Sequence, residues 1–293
     1  MTIASPLPLR FTIGARTLFA VRRRLVRVGY NLDDVLRAEA LRLPPLDGDG
    51  YLVTSLPERH LAATAVALPG SAMMVRQRYS RRYADLAGGF DAYFAAMSSN
   101  ARSALKRKAK KLDGAATIAV RSYRSADEIA VFHALALPLS RKTYQDRLLG
   151  AGLPADPAEM LRLAAADRAR AWLLFADGAP IAYLYTPAEG DTLIYAFLGY
   201  DPDWAEYSPG VVLQVEAMKT VFAEARFRRF DFTEGDGQHK RQFATGAVDC
   251  VDVLLLRPGL ANRALVAGLK AFDNAVTLAK RVVPSNFARK LKR

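Results

Sequence analysis

The period of the apolar positions changes several times along the chain, and each change marks an element. Between 116 and 256 the pattern is dense. It predicts a strand at 116–123, then a helix opening at Ser125. Glu128, three residues on, completes a capping box, and Ile129, Phe132 and Leu135 form the apolar face. A second helix is predicted at 157–168, with Pro157 at a tolerated first-turn position. Three strands follow at hairpin spacing, 170–176, 180–187 and 191–199, parted by Asp177-Gly178 and Glu189-Gly190. A helix at 209–225, a strand at 229–233, a short irregular or helical piece at 238–244 and a strand at 247–256 complete the series. The order β-α-α-β-β-β-α-β-α-β predicts an α/β (α+β) fold: a mixed, mostly antiparallel sheet flanked by helices and split by a V-shaped opening around a helix start.

Outside that stretch the pattern is looser. Phe90, Tyr93, Phe94 and Met97 recur at helical spacing and lead into a basic half at 102–111, so one helix is expected over 90–112. Residues 72–86 alternate as a strand does over part of their length. The segment LFAVRRRLVRV at 18–28 mixes apolar residues with Arg, which suits a surface-lying segment or an ordinary basic helix. Residues 260–282 predict a final amphipathic helix, followed by a basic tail.

Charge changes the picture more than composition does. Half the residues are hydrophobic, enough for a real core, yet the net charge is +13 and unevenly placed. Residues 1–30 hold six Arg and no acid, 102–111 hold six basic residues, and 257–293 hold nine against the single acid Asp273. Such a balance suits an anionic partner: phosphates of a cofactor, an anionic membrane surface or nucleic acid. One Cys, Cys250, precludes an intramolecular disulfide, and with three His it argues against a metal held by Cys or His; no metal is expected. Neither a secretory signal nor a membrane span of about 18 apolar residues is read, so the expected location is the cytoplasm.

Residues 191–246 carry most of the candidate chemistry. A strand ending in Gly199-Tyr200 runs through a polar turn to a helix that opens at Ser208-Pro209-Gly210. The unpaired N–H groups and dipole of a helix start favour an anion. An ordinary capped helix describes the same residues. Asp231, Glu234, Asp236, His239 and Lys240 then fall within ten residues. A carboxylate or His there can take a proton from an attacking amine. Glu234 and Asp236 can share a proton or hold an ammonium, and His239 has the pKa of a general base. The plainer alternative pairs Asp231 and Asp236 with Lys240 and Arg241 and merely fixes the loop. Tyr195 and Tyr200 either reach a leaving group or pack in the core. His133, beside Phe132, reads first as structural, and Cys250 as packing.

Several words in this chain resemble one family. They are Ser98-Ser99-Asn100-Ala101-Arg102 with its basic continuation, Gly199-Tyr200-Asp201-Pro202, Tyr207-Ser208-Pro209-Gly210, and Asp231-Phe232 followed by Gly235-Asp236 and Lys240-Arg241. Together with the element order they resemble the GCN5-related N-acyltransferase (GNAT) fold in its CelD/BcsL-like branch, related to the FemABX peptidyltransferases, over about 78–257. The usual Gly-rich pyrophosphate loop is absent: the turn 205–210 stands in its place with one Gly. The resemblance implies a partial N-terminal GNAT-like lobe with its basic helix at 1–112, a catalytic domain at 113–258 and a basic amphipathic helix and tail at 259–293. It implies acyl-CoA as co-substrate, held by Phe197, Gly199, Ser208, Pro209, Gly210 and Lys240. A strand N–H near 197–199 would polarise the thioester. Asp236, His239, Glu234 and Tyr200 would be the catalytic set. Segment 137–144 would line the acceptor site.

The acceptor stays open at this stage. The basic ends, 10–28 and 260–293, suit an enzyme resting on the inner face of an anionic membrane, with an amine-bearing lipid as acceptor and a ceramide-like amide as product. An amino sugar of an exopolysaccharide or lipopolysaccharide is the alternative acceptor, and aminoacyl transfer from tRNA an alternative donor. A non-catalytic module binding nucleic acid or another anion is the alternative of another class. No helix-turn-helix, zinc finger or aromatic RNA-binding word is present, so no nucleic acid is expected.

Overall fold

A computed structural model gives the fold, and the residues it describes are 4–13, 16–145, 152–235 and 237–282. The chain packs as two compact units: Met1–Ser80 with Val248–Arg293, and Arg81–Ala247. The first unit begins with β1 (Ser5–Ile13), β2 (Arg16–Gly29), α1 (Leu32–Arg37), β3 (Gly50–Pro57) and α2 (Leu61–Ala67). The chain leaves it through β4 (Ala72–Asp85) into α3 (Phe90–Ala96), α4 (Ser99–Asp113), β5 (Ile118–Tyr123), α5 (Ala126–Gln145), α6 (Ala158–Ala165), β6 (Ala169–Ala176), β7 (Ala179–Glu189), β8 (Thr192–Ile194) and β9 (Phe197–Tyr200). A 3-10 turn (Pro202–Tyr207), α7 (Pro209–Glu224), β10 (Arg229–Asp231) and α8 (Gln238–Phe243) follow, and β11 (Gly246–Leu256) leads back to α9 (Leu260–Val282). The unit boundaries therefore fall at 80/81 and 247/248. The reason is packing: Leu105 and Leu112 of α4 belong to the core of the second unit, while Val251, Val253 and Leu255 of β11 belong to that of the first.

In the second unit the strand order is β4-β10-β8-β7-β6-β5, with β9 also on β7. Every described pair is antiparallel except β8 with β10. The sheet is covered on both faces, which is why β6 reads as a continuous apolar run and is buried along its whole length. Trp172, Leu174 and Leu184 face the core beneath α3, α4 and α7. Leu173, Tyr183 and Tyr185 alternate to the other side, against Ile129 and Phe132 of α5 and Met160 of α6. The Trp172 indole N–H donates to Thr220 Oγ1 at 2.8 Å, so its polar end is satisfied within the packed layer.

The first unit orders its strands β1-β2-β3-β11-β4. Its sheet also has two apolar faces: Val26, Val53 and Val253 on one, Leu25, Leu254 and Leu256 on the other, the latter under Val266 and Leu269 of α9. The segment 18–28 is therefore neither a helix nor a loose surface segment. It lies in β2, antiparallel to β1 with Leu9 opposite Val21 and Phe11 opposite Phe19. Its own sequence gives no clean alternation because three arginines run consecutively at 22–24. The partner strand supplies the pairing that local pattern lacks.

Two further elements differ from the expected ones. The helix expected over 90–112 is two helices: Met97 is extended (φ −66°, ψ 152°), and the Ser98 hydroxyl caps α4 by accepting from the Ala101 N–H at 3.2 Å. The strand expected at 191–199 breaks into β8 and β9. Among the described residues no helix is long and apolar enough to cross a membrane.

At one edge of the second unit, Asp167 collects three guanidiniums. Arg124 Nε lies 2.7 Å from Oδ1, Arg226 Nε 2.9 Å from Oδ2, and buried Arg170 3.0 Å from Oδ1, while Glu224 takes the other side of Arg170 at 2.9 Å. The Arg124 hydrogen bond, aided by those of Arg226 and Arg170, holds the Asp167 carboxyl far below its ordinary 3.8 against the opposing effect of burial. A depressed carboxyl stabilises the folded state fully above its unfolded pKa, and that stability is lost as pH falls below it. The expected outcome is that Asp167→Asn lowers the melting temperature at neutral pH. It should also flatten the acid limb of stability against pH below about 4, read by circular dichroism.

Candidate active site

The site begins with a mismatch in strand length. Leu193 pairs with Ala188 and Phe197 with Tyr185, so four steps along β8–β9 oppose three along β7. One extra residue is thus accommodated at 194–197, a bulge. At that point the neighbours part. The Tyr195 N–H makes the last rung to the Asp231 carbonyl at 2.8 Å. β9 then continues on β7 to Tyr200, while Phe232 follows β4 by donating to the Arg82 carbonyl at 2.9 Å. A V-shaped opening starts between Tyr195 and Asp231.

The backbone of β9 has a defined polarity. Asp201 N–H donates to the Ile181 carbonyl at 2.8 Å, so the alternate residues 199 and 197 also turn towards β7. The peptide groups of Leu198 and Tyr200 turn the other way. Consistently, the Tyr200 carbonyl accepts from Thr143 Oγ1 of α5 at 2.6 Å. The Leu198 N–H is left as a donor on the open edge of β9, within the span 197–199 where the sequence places the carbonyl-polarising group.

Helix α7 starts beside this edge. Ser208 is left-handed (φ 55°) and makes no side-chain cap, and its carbonyl accepts from Val211 and Val212. Pro209 has no N–H, so the Gly210 N–H is the donor at the helix start. A Cβ at Gly210 would lie 3.0 Å from Leu198 Cδ2 and 3.4 Å from Tyr200 Cδ1. The glycine therefore lets α7 press onto β9, rather than leaving open backbone for a ligand. A bulky residue there, Gly210→Val, would disturb this packing. Gly199 serves a similar purpose: its Cβ would meet the Tyr183 ring at 2.4 Å. Thr143 and Lys142, which holds Asp201 Oδ2 at 2.7 Å, tie the end of α5 to the end of β9 and the turn that follows it.

On the β10 side, Lys240 of α8 occupies the apex. Its ammonium donates to the Glu234 carbonyl, lies 3.5 Å from Thr233 Oγ1 and sits 6.0 Å above the Tyr195 ring. Burial pulls its pKa below the ordinary lysine range, opposed by the charges of Glu234 and Asp231. Glu234 is exposed. Asp236 lies outside the described residues, as does the side chain of His239, whose backbone is in α8. Tyr195 packs on Phe230 and Phe232, and Tyr200 is half-buried beside Gly210. His133 is buried and bonded to the Pro154 carbonyl at 2.8 Å, a structural role. Among the described residues no cluster of His, Cys, Asp or Glu is arranged to hold a metal ion.

Asp231 does not pair with Lys240 or Arg241 as the sequence suggested. It is 1 % exposed and takes Arg81 in a fork, with Nη2 2.6 Å and Nε 3.2 Å from Oδ2. Its Oδ1 also accepts the Thr233 N–H at 2.8 Å, which stabilises a non-Gly residue at φ 61° as the chain leaves the sheet. Arg81 went unnoticed because it sits in a run of basic residues, 76–82, where nothing in the sequence sets the one buried arginine apart from its neighbours.

Residues 99–241 match the family model of an acetyltransferase (GNAT) domain. This segment is a GNAT domain. It runs from α4 through α8 and contains the bulge, the opening and Lys240, and the protein is an acyltransferase. Two solved structures share the fold. One is the C-terminal domain of a proposed lysylphosphatidylglycerol synthetase from Agrobacterium fabrum, 13% identical, with TM-score 0.53 over 76% of this chain and 72% of that one. The other is FemX, 10% identical, with TM-score 0.53 over 87% of this chain and 88% of that one. No curated protein matches in sequence.

The buried ion pair gives a direct test. Asp231→Ala removes the buried carboxylate from the pair while Arg81 stays charged, with an expected loss of about 3–5 kcal/mol in denaturant unfolding. Replacing both partners, Arg81→Met with Asp231→Leu, is expected to recover most of it.

Proposed function

We propose that this GNAT domain transfers an acyl group from an acyl thioester, acyl-CoA, to a primary amine. The Leu198 N–H on the open edge of β9, beside the start of α7, is the observation that carries the reading. A donor fixed in the backbone needs no reorganisation when the thioester carbonyl becomes an oxyanion, and electrostatic stabilisation of this kind is usually the largest catalytic contribution. The Gly210 N–H and the positive end of the α7 dipole favour the cofactor phosphates on the same side. When bound, the thioester supplies an activated carbonyl; this chain's residues orient it and move the protons.

Nitrogen attacks the carbonyl carbon, the carbon–sulfur bond breaks and the sulfur takes a proton. Lys240 suits that last step: its ammonium is half-buried at the apex, and its lowered pKa makes it a better acid than an exposed lysine. Tyr200, on the other arm, is the second donor. The amine's own proton goes to the loop 234–239, with His239 or Asp236 as base and Glu234 holding the ammonium before attack. The acceptor best matched to the basic ends of the chain is an amino lipid, giving a ceramide-like amide; an amino sugar is the alternative.

The exposed basic face of α4, with Lys106, Arg107 and Lys110, supports a second reading in which the donor is an aminoacyl-tRNA. Thiol release from acyl-CoA with a panel of amines, run beside amide formation from charged tRNA, separates the two. Thiol release with at least one long-chain amine is expected. Its absence with every amine, alongside transfer from tRNA, overturns the thioester reading. Lys240→Met is expected to lower kcat by about 10²–10⁴ and to remove the alkaline limb of the pH profile, because the acid form of Lys240 is depleted as pH rises. His239→Gln or Asp236→Asn should lower kcat by a similar factor, with a loss that shrinks as pH rises and more amine is already neutral.

A further inference from the structure

Gln214 of α7 is 3% exposed, and neither its carboxamide oxygen nor its nitrogen has a protein partner among the described residues. A buried amide short of both a donor and an acceptor costs the free protein stability. The contacts of α7 fix which way this residue faces. Thr220 and Glu224 meet Trp172 and Arg170 of β6, and Gly210 abuts Leu198 and Tyr200 of β9. Around the helix, Thr220 and Glu224 stand about 80° and about 40° to one side of Gly210, and Gln214 about 40° to the other. Gln214 is thus turned away from β6. The strands run in the order β10-β8-β7-β6 with β9 on β7, so away from β6 is towards β10 and the opening.

Its position along the helix is fixed as well. β8 and β10 are parallel and α7 lies between them in the chain, so α7 runs back antiparallel to β9. Gln214 lies one turn, about 5.4 Å, beyond Gly210, and a helical side chain leans back over the turn before it. That places the carboxamide alongside Leu198, between the start of α7 and the bulge at 194–197. On the acyl-thioester reading, on which this inference rests, the carbonyl meets the Leu198 N–H and the phosphates meet the α7 start. The arm joining them in coenzyme A carries secondary amides, each with one N–H and one C=O, which is the pair an unmatched carboxamide needs. An aminoacyl ester of tRNA has a ribose in that place. We propose that Gln214 binds the amide of the donor arm nearest the sulfur, and so selects a pantetheine-bearing thioester over an aminoacyl ester. The carboxamide is closed to solvent in the free protein and is uncovered as the donor enters.

The test gives the full chain two small donors with the same acyl group. One is the thioester of N-acetylcysteamine, which keeps that amide; the other is the thioester of pentane-1-thiol, which has methylenes in its place. The wild type is expected to favour the first by at least about tenfold in kcat/KM. Gln214→Met, close in volume, is expected to lose that preference and to bind acyl-CoA more weakly. Its melting temperature should be no lower than that of the wild type, because an unmatched buried amide has been removed. A wild type that uses both thioesters equally, or a Gln214→Met variant that keeps the preference, overturns the proposal and leaves acyl transfer from a thioester standing. The wild-type comparison decides this even where the variant does not fold. A wild type that turns over neither small donor nor acyl-CoA removes the thioester reading and this proposal together.

Discussion

A single extra residue in β8–β9 is the constraint on which the site depends. Between Leu193 and Phe197 the strand carries one residue more than β7 can match, and a bulge absorbs it. A continuous strand would have kept both neighbours to its end and left no edge. Because the pairing with β10 stops at Tyr195, β9 presents its free side to a gap, with the Leu198 N–H directed into it. The proposed chemistry rests on that edge: a fixed donor on one arm, Lys240 at the apex, and a helix start pressed against the same strand through Gly210.

The opposite arm is held by the Arg81–Asp231 pair. Two buried charges are expensive to take out of water, and such a pair is weak evidence for stability as such. Here it has a positional consequence. Asp231 ends β10 and accepts the Thr233 N–H, so the chain turns out of the sheet at the residue where the opening begins. Arg81 comes from β4 and fixes that exit from the far side. An apolar replacement could match the energy but not the turn.

Much of this was legible in the sequence, for identifiable reasons. Ser125 with Glu128, the Asp177-Gly178 hairpin and the apolar run 170–176 are strong local signals, and the structure has the corresponding helix, turn and buried strand. Ser98 was visible as part of a family word but not as the cap that splits a helix, because the apolar spacing carries on across it. The bulge was invisible: an extra residue in a strand shows only against its partner's register. β2 was misread for the same reason, since consecutive arginines hide an alternation that β1 restores. At the site, the sequence grouped Glu234 and Lys240 in one loop, and the Lys240 ammonium donates to the Glu234 carbonyl. It assigned Asp231 to the loop when its partner lies 150 residues earlier.

The central claim is that the Leu198 N–H is the group that meets the thioester carbonyl, and amide chemical shifts report on it directly. Isotope-labelled protein titrated with a non-hydrolysable acyl-CoA analogue should show the Leu198 amide proton moving downfield to saturation, with the Gly210 amide moving alongside it. Des-acyl CoA should move Gly210 but leave Leu198 nearly unchanged. Saturable binding of the analogue that leaves Leu198 where it was would contradict the account and place the carbonyl elsewhere.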